Sequence, residues 1–314
     1  MPAKRPPRTT TTSEPVAEPN TAERAPVVEE VSTTGRALVP VPKPAESREP
    51  LPDPRRSDID EWGRSQRVRD LTKAIYDPIY RRWFRVEWEG MENVPTEGGA
   101  LLVANHAGAL PSDAPAIVHG IETELGRSVY GLAENIFRSM PVVSTWWARV
   151  GGVAANPHNA YRLLREQQQL AMVFPEGTKA TSKHYRERYK LRRFGRGGFV
   201  EIAMRAGVPV VPIAVVGAEE SMPIVANIVP LAKLLKLPYA PITANMLAFG
   251  PLGSLLYFPA KFRIRVLPPV HFDVEPDQPR YSRSRVMDLS EEIREQIQAA
   301  LYDMLRTRRS VWFG

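Results

Sequence analysis

The chain has 314 residues, 43% of them hydrophobic, enough for one large domain or two small ones with a substantial core. It contains no cysteine, which excludes a disulfide framework, a thiol nucleophile and thiolate metal ligands. A formal net charge of +7 favours anionic partners such as nucleic acid, lipid headgroups or phosphorylated cofactors.

Residues 1–57 hold 12 of the 31 prolines, mixed with Thr, Ser, Glu and Arg. This segment cannot bury enough apolar surface to offset ordering, so a disordered Pro-rich tail is expected there. No basic-then-apolar leader opens the chain. No uninterrupted apolar run reaches the ~18 residues of a membrane-spanning helix, so none is expected.

From residue 58 the pattern turns helical. Val68, Leu71, Ile75 and Ile79 recur at helical spacing and predict an amphipathic helix within 58–84, which Pro78 would kink or end. Packing of that stripe on the core is the simplest expectation. Tyr80, Arg81, Arg82, Trp83, Phe84 and Arg85 mix rings with cations. That mixture suits a membrane interface, or a Trp83 that fills a gap in the core.

Strands are predicted at 100–104, 128–132, 170–174, 208–216 and 262–266, and helices at 113–124, 136–150, 158–168 and 198–206. The alternation predicts an α/β domain with a mixed, largely parallel sheet flanked by helices. Phe262, Ile264 and Val266 alternate with Arg263 and Arg265. Residues 222–260 are apolar and broken by Pro and Gly. There Leu231, Leu234, Leu235 and Leu237 flank Lys233 and Lys236, ahead of Leu255, Leu256, Tyr257 and Phe258. Such a segment lines an acyl tunnel, dips into a membrane or is ordinary core. A final helix is predicted at 288–309, with Asp288 and Glu291 as a capping box and Ile293, Ile297, Leu301, Met304 and Leu305 on one face.

Two short motifs follow the apolar runs at 100–104 and 170–174. The first is Asn105-His106-Ala107-Gly108, leading through Pro111 and Ser112 to Asp113; the second is Phe174-Pro175-Glu176-Gly177-Thr178-Lys179. Strand ends are where an α/β sheet presents chemistry. A histidine with a nearby aspartate makes a usable base, because the carboxylate fixes the imidazole tautomer and stabilises the imidazolium. Gly177 permits a tight turn and Thr178 offers a hydroxyl donor. Downstream, 183–196 is strongly basic, with Tyr185, Tyr189 and Phe194 interleaved, and it ends in Gly195-Arg196-Gly197-Gly198 before a predicted helix. Arg193 and Arg196 beside these glycines form a candidate anion site; the bland alternative is a solvated loop. No nucleic-acid motif accompanies this run, so nucleic acid is not an expected partner.

As a pair, the motifs resemble the glycerolipid acyltransferases of the lysophosphatidic acid acyltransferase type, over roughly residues 85–270. The resemblance implies a membrane-peripheral enzyme on the cytoplasmic face of a membrane, with 85–270 as its catalytic core. It moves a fatty acyl group from acyl-CoA or acyl carrier protein to a hydroxyl of a lysophospholipid. It needs no metal and no cofactor beyond the thioester co-substrate. His106 would be the base and Asp113 its partner, with Asn105, Glu176, Gly177, Thr178, Lys179, Arg193 and Arg196 in substrate contact. The chain departs from the family in three places. Six residues separate His106 from Asp113 where four are usual, Lys179 replaces an arginine, and Asn156 stands nearest the position of another. The last two departures keep a second acceptor class open, a neutral acylglycerol or long-chain alcohol. A non-catalytic lipid-binding scaffold is the alternative outside enzymes.

Overall fold

The most uniformly apolar runs of the sequence form the centre of one sheet. In a computed structural model, residues 58–133, 141–228, 230, 232, 239–278 and 280–314 are described. The tail expected at 1–57, the opening of the helix expected at 136–150, and Leu231, Leu234, Leu235 and Leu237 lie outside the described residues.

Among the described residues the strands are β1 (Glu87–Glu89), β2 (Ala100–Ala104), β3 (Val129–Ala133), β4 (Gly152–Ala154), β5 (Leu170–Val173), β6 (Val210–Val216), β7 (Ile224–Asn227), β8 (Pro241–Thr243) and β9 (Arg263–Val266). Seven of them make one sheet in the order β1-β9-β6-β2-β5-β3-β4, and β7 and β8 pair separately. All neighbours in the large sheet run parallel except β6 and β9. The mixed, largely parallel sheet is therefore as expected. Every residue of β2 and of β6 is buried, as strands covered on both faces require. β6 runs straight through Pro212, whose carbonyl accepts from Leu267 N at 2.9 Å.

Among the described residues the helices are α1 (Gln66–Pro78), α2 (Asp113–Glu124), α3 (Pro141–Arg149), α4 (Pro157–Tyr161), α5 (Thr178–Thr181), α6 (Gly198–Ala206), α7 (Ala218–Ser221), α8 (Ala244–Phe249) and α9 (Arg283–Thr307). α2 and α6 keep their expected bounds. α9 begins at Arg283, five residues before the expected start, so Asp288 lies inside the helix and the proposed capping box does not cap it. Its face of Ile293, Ile297, Leu301 and Met304 is buried with β6 and α6 in one core cluster. On β9, Ile264 and Val266 point into the opposite core cluster, while Arg263 and Arg265 pair with Glu89 at 2.6 Å each.

α1 overturns one expectation. Its α-helical pattern does stop at Pro78, where it passes directly into a π-helical turn at Ile79–Trp83. The stripe, however, does not pack on the core: Val68 is half-buried, but Leu71, Ile75 and Ile79 face outward, as does Trp83. The protein-facing side carries charge instead. Arg64, Arg69 and Lys73 converge on buried Glu122 of α2, at 3.4, 2.5 and 3.5 Å. A helical stripe fixes which residues share a face but not which face meets the protein.

Candidate active site

Because β2 and β5 are adjacent, parallel and in register from Ala100↔Leu170 to Val103↔Val173, their carboxyl ends deliver both motifs side by side. The backbone N–H of His106 donates to Glu176 Oε1 at 3.3 Å, across 70 residues of sequence. The His106 ring stacks on Phe174, with centroids 4.0 Å apart and planes at 22°.

Asp113 is fully buried at the start of α2, a helix end that favours an anion. Its Oδ2 lies 3.0 Å from His106 Nδ1 and accepts Ala107 N–H at 2.7 Å, and its Oδ1 accepts Ala114 N–H at 2.7 Å. The longer loop therefore still brings the carboxylate to the imidazole; it turns at Gly108, where φ is +82°. An acceptor at Nδ1 selects the tautomer with its proton there, leaving Nε2 free to take a proton. The His106 side chain is partly exposed, so that nitrogen is reachable.

Asn105 is buried, and both ends of its amide are occupied. Val215 N–H donates to Oδ1 at 2.7 Å and Nδ2 donates to Val215 O at 3.1 Å. This geometry gives Asn105 the work of tying the end of β2 to β6, in place of the expected substrate contact. Glu176 is likewise buried. Its Oε2 accepts Arg192 N–H at 2.6 Å and lies 3.9 Å from Lys183 Nζ, so it holds the two loops together from beneath. Burial pushes its carboxyl above the usual range, against the pull of Lys183.

Gly177 adopts φ +58° and ψ −151°, a region open essentially to glycine alone. A Cβ there would meet nothing within 4 Å, so strain without crowding decides the effect of a side chain. Gly177→Ala is expected to cost about 1–3 kcal/mol, read from denaturant unfolding midpoints. An unchanged midpoint would show that the turn relaxes.

Thr178 and Lys179 are exposed just beyond this turn, and Arg193 and Arg196 are exposed in the basic loop. The Arg192 bond to Glu176 lays the basic loop against the Pro-Glu-Gly turn. Within that loop Tyr189 and Phe194 are core residues, so the loop is not the wholly solvated one offered as the alternative. Asn156, exposed, caps α4 by accepting Asn159 N–H at 2.8 Å.

A buried charge network behind Glu176 escaped the sequence reading. Lys183, read as part of an exposed basic run, is buried, with Nζ 3.1 Å from Glu219 Oε1. Tyr189 N–H donates to the same oxygen at 2.9 Å, and the Tyr189 hydroxyl bonds Glu220. Arg308 reaches Glu220 Oε1 at 2.9 Å. The available signal was a pair of acids placed directly after the all-apolar β6, at the sheet edge that carries both motifs.

Burial pushes the Glu219 carboxyl from 4.5 up to about 7, opposed by Lys183. The folded protein then holds a proton that the unfolded chain releases near 4.5, so this group makes stability fall as pH rises from about 4.5 to about 7. Glu219→Gln is expected to flatten that decline in urea midpoints collected from pH 4.5 to 8. Parallel pH curves for the two proteins would refute it.

Residues 85–216 match the profile of the family described as Acyltransferase. The chain is 37% identical over 266 residues to an uncharacterized protein of Mycobacterium tuberculosis, covering 82% of this chain and 72% of the relative. It is 31% identical over 144 residues to phytyl ester synthase 2, chloroplastic, of Arabidopsis thaliana, covering 44% and 20%. Among solved structures it is similar to the 1-acyl-sn-glycerophosphate acyltransferase PlsC from Thermotoga maritima, with TM-score 0.49 and 21% identity over 78% of this chain and 84% of that one.

Proposed function

The chain belongs to the acyltransferase family, and from that premise we propose that His106 and Asp113 drive transfer of a fatty acyl group from a thioester to a hydroxyl of a lipid at a membrane surface. The observation that carries this is the 3.0 Å contact between His106 Nδ1 and the buried Asp113 carboxylate. His106 Nε2 takes the hydroxyl proton as that oxygen attacks the thioester carbonyl. The tetrahedral oxyanion collapses, the carbon–sulfur bond breaks, and the imidazolium returns its proton to the leaving sulfur. Asp113 holds the ring and offsets its positive charge while it is protonated. Asn105, Glu176 and Lys183 support the two loops from below. Acyl-CoA is the proposed donor, with acyl carrier protein as the other carrier of the same thioester.

For the acceptor we propose a lysophospholipid. Lys179 is exposed beside the Thr178 hydroxyl just past the Gly177 turn, Arg193 and Arg196 are exposed in the loop that Arg192 ties to Glu176, and such a set attracts a phosphate. A neutral acceptor is the second reading. Asn156 caps a helix where the family's motif has an arginine, and one relative is named for making phytyl esters. The test is thiol release from acyl-CoA with lysophosphatidic acid, other lysophospholipids, monoacylglycerol, diacylglycerol and a long-chain alcohol in turn. Release with only the phosphate-bearing acceptors supports the first reading, and release with only the neutral ones the second. No release with any acceptor would overturn both.

A further inference from the structure

We propose that α1, the turn over 247–256 and the terminal Trp312-Phe313 form one face that docks onto an anionic lipid bilayer beside the acyl-transfer site. The proposal rests on the lipid-acceptor reading but is tested without turnover.

α1 is an inverted amphipathic helix. Its protein-facing side is polar: buried Arg69 and half-buried Lys73, with buried Arg64 just ahead of the helix, are held by Glu122, and Tyr76 and Tyr80 pack on the His119 ring at 5.3 and 4.5 Å. These contacts fix the rotation of the helix, so its apolar stripe has to point away from the protein. Leu71 is 61% exposed, Ile75 64% and Trp83 46%. An apolar stripe held outward by buried ion pairs needs a partner, since water disfavours it.

Two further segments extend the patch. α8 and the 3-10 turn after it expose Leu247, Phe249, Leu252, Leu255 and Leu256. They join α1 through Trp83 Nε1, which donates to Tyr257 O at 3.0 Å, and through Phe84, 5.7 Å from the Tyr257 ring. Phe258 then links Phe249 to Trp312, at 6.2 and 6.3 Å, and Arg85 bonds the Trp312 carbonyl at 2.5 Å.

Three features select a bilayer as the occupant. Arg67 and Arg82 are exposed at the two ends of the stripe, where they meet anionic headgroups. Trp83 and Trp312 suit the headgroup boundary, where an indole keeps one edge apolar and one polar. The face is also wired to the site: Asn245 Nδ2 donates to Leu256 O at 2.8 Å and to Ser221 O at 3.1 Å, and the Ser221 hydroxyl lies 2.8 Å from that of Ser112, the residue before Asp113.

The experiment is co-sedimentation of the full chain with phosphatidylcholine vesicles, with and without phosphatidylglycerol. Wild type is expected to bind the anionic vesicles, to lose binding as salt rises, and to blue-shift its tryptophan emission on binding. The variant Leu71→Ser/Ile75→Ser/Leu252→Ser is expected to bind at least about tenfold more weakly, because three side chains stay in water. All three positions are exposed, so its thermal unfolding should match wild type; Leu247→Ser/Leu255→Ser provides a second variant with no change in α1. Wild type that ignores both vesicle types would overturn the proposal, as would variants that bind like wild type. Self-association abolished by the same substitutions, with no vesicle binding, would assign the face to a second copy and overturn it too. Because no acyl transfer is read, a failed activity assay leaves this result standing.

Discussion

His106→Ala is expected to lower acyl-CoA-dependent thiol release by about 10²–10⁴-fold with the best acceptor, the range that loss of a general base produces. The substitution leaves the rest of the site in place. The backbone N–H that bonds Glu176 stays, and Asp113 keeps both backbone donors, Ala107 and Ala114. The ring itself is partly exposed and contributes chiefly its stack on Phe174, so the fold should survive. Asp113→Asn makes the sharper comparison. The amide has a single acceptor oxygen, so its NH2 must face either Ala114 N–H or the Ala107 N–H and His106 Nδ1 pair, and no negative charge remains to offset the imidazolium. Thiol release by His106→Ala at the wild-type rate, with the protein still folded, would remove His106 from the mechanism.

Lys183→Met is expected to destabilise the protein by about 3–5 kcal/mol, the usual cost of removing one partner from a buried ion pair. Lys183 stands between Glu176 and Glu219, and its Nζ also donates to Lys190 O at 3.1 Å. Methionine fills a similar volume but leaves two buried carboxylates without their cation. Glu219 already holds its proton up to about 7, so the loss should be smaller at pH 5 than at pH 8, where both carboxylates are charged. The double variant Lys183→Met/Glu219→Gln should recover part of the loss, and urea midpoints for the four proteins at two pH values give the coupling directly. A Lys183→Met midpoint equal to wild type at pH 8 would show that the network carries no such weight.

The legible part of this molecule is local. β2 and β5 were readable as unbroken apolar runs, because a strand covered on both faces has no polar side to interrupt it. α2 and α6 kept their predicted bounds because Asp113 and the Gly197-Gly198 pair mark their starts. β1 and β4 gave no signal: three residues are too few for alternation to show, and neighbouring strands alone define them.

The site divides along the same line. Its reactive residues, His106, Asp113 and the Phe-Pro-Glu-Gly turn, were evident from type and spacing, because a base needs an imidazole with an acceptor within loop reach. The inner roles of Asn105 and Glu176 were not, since a polar side chain after a strand bonds backbone as readily as substrate. Lys183 was hidden in a basic run whose other members are mostly exposed. Its burial depends on Glu219, 36 residues away. The sequence by itself determined β2, β3, β5, β6 and β9, the two motifs and the stripe on α1. Tertiary structure alone decided that the motifs meet across β2 and β5, that Lys183 turns inward and that the stripe turns outward. Periodicity and spacing are properties of one segment, whereas burial is settled by the free energy of all the segments packed together.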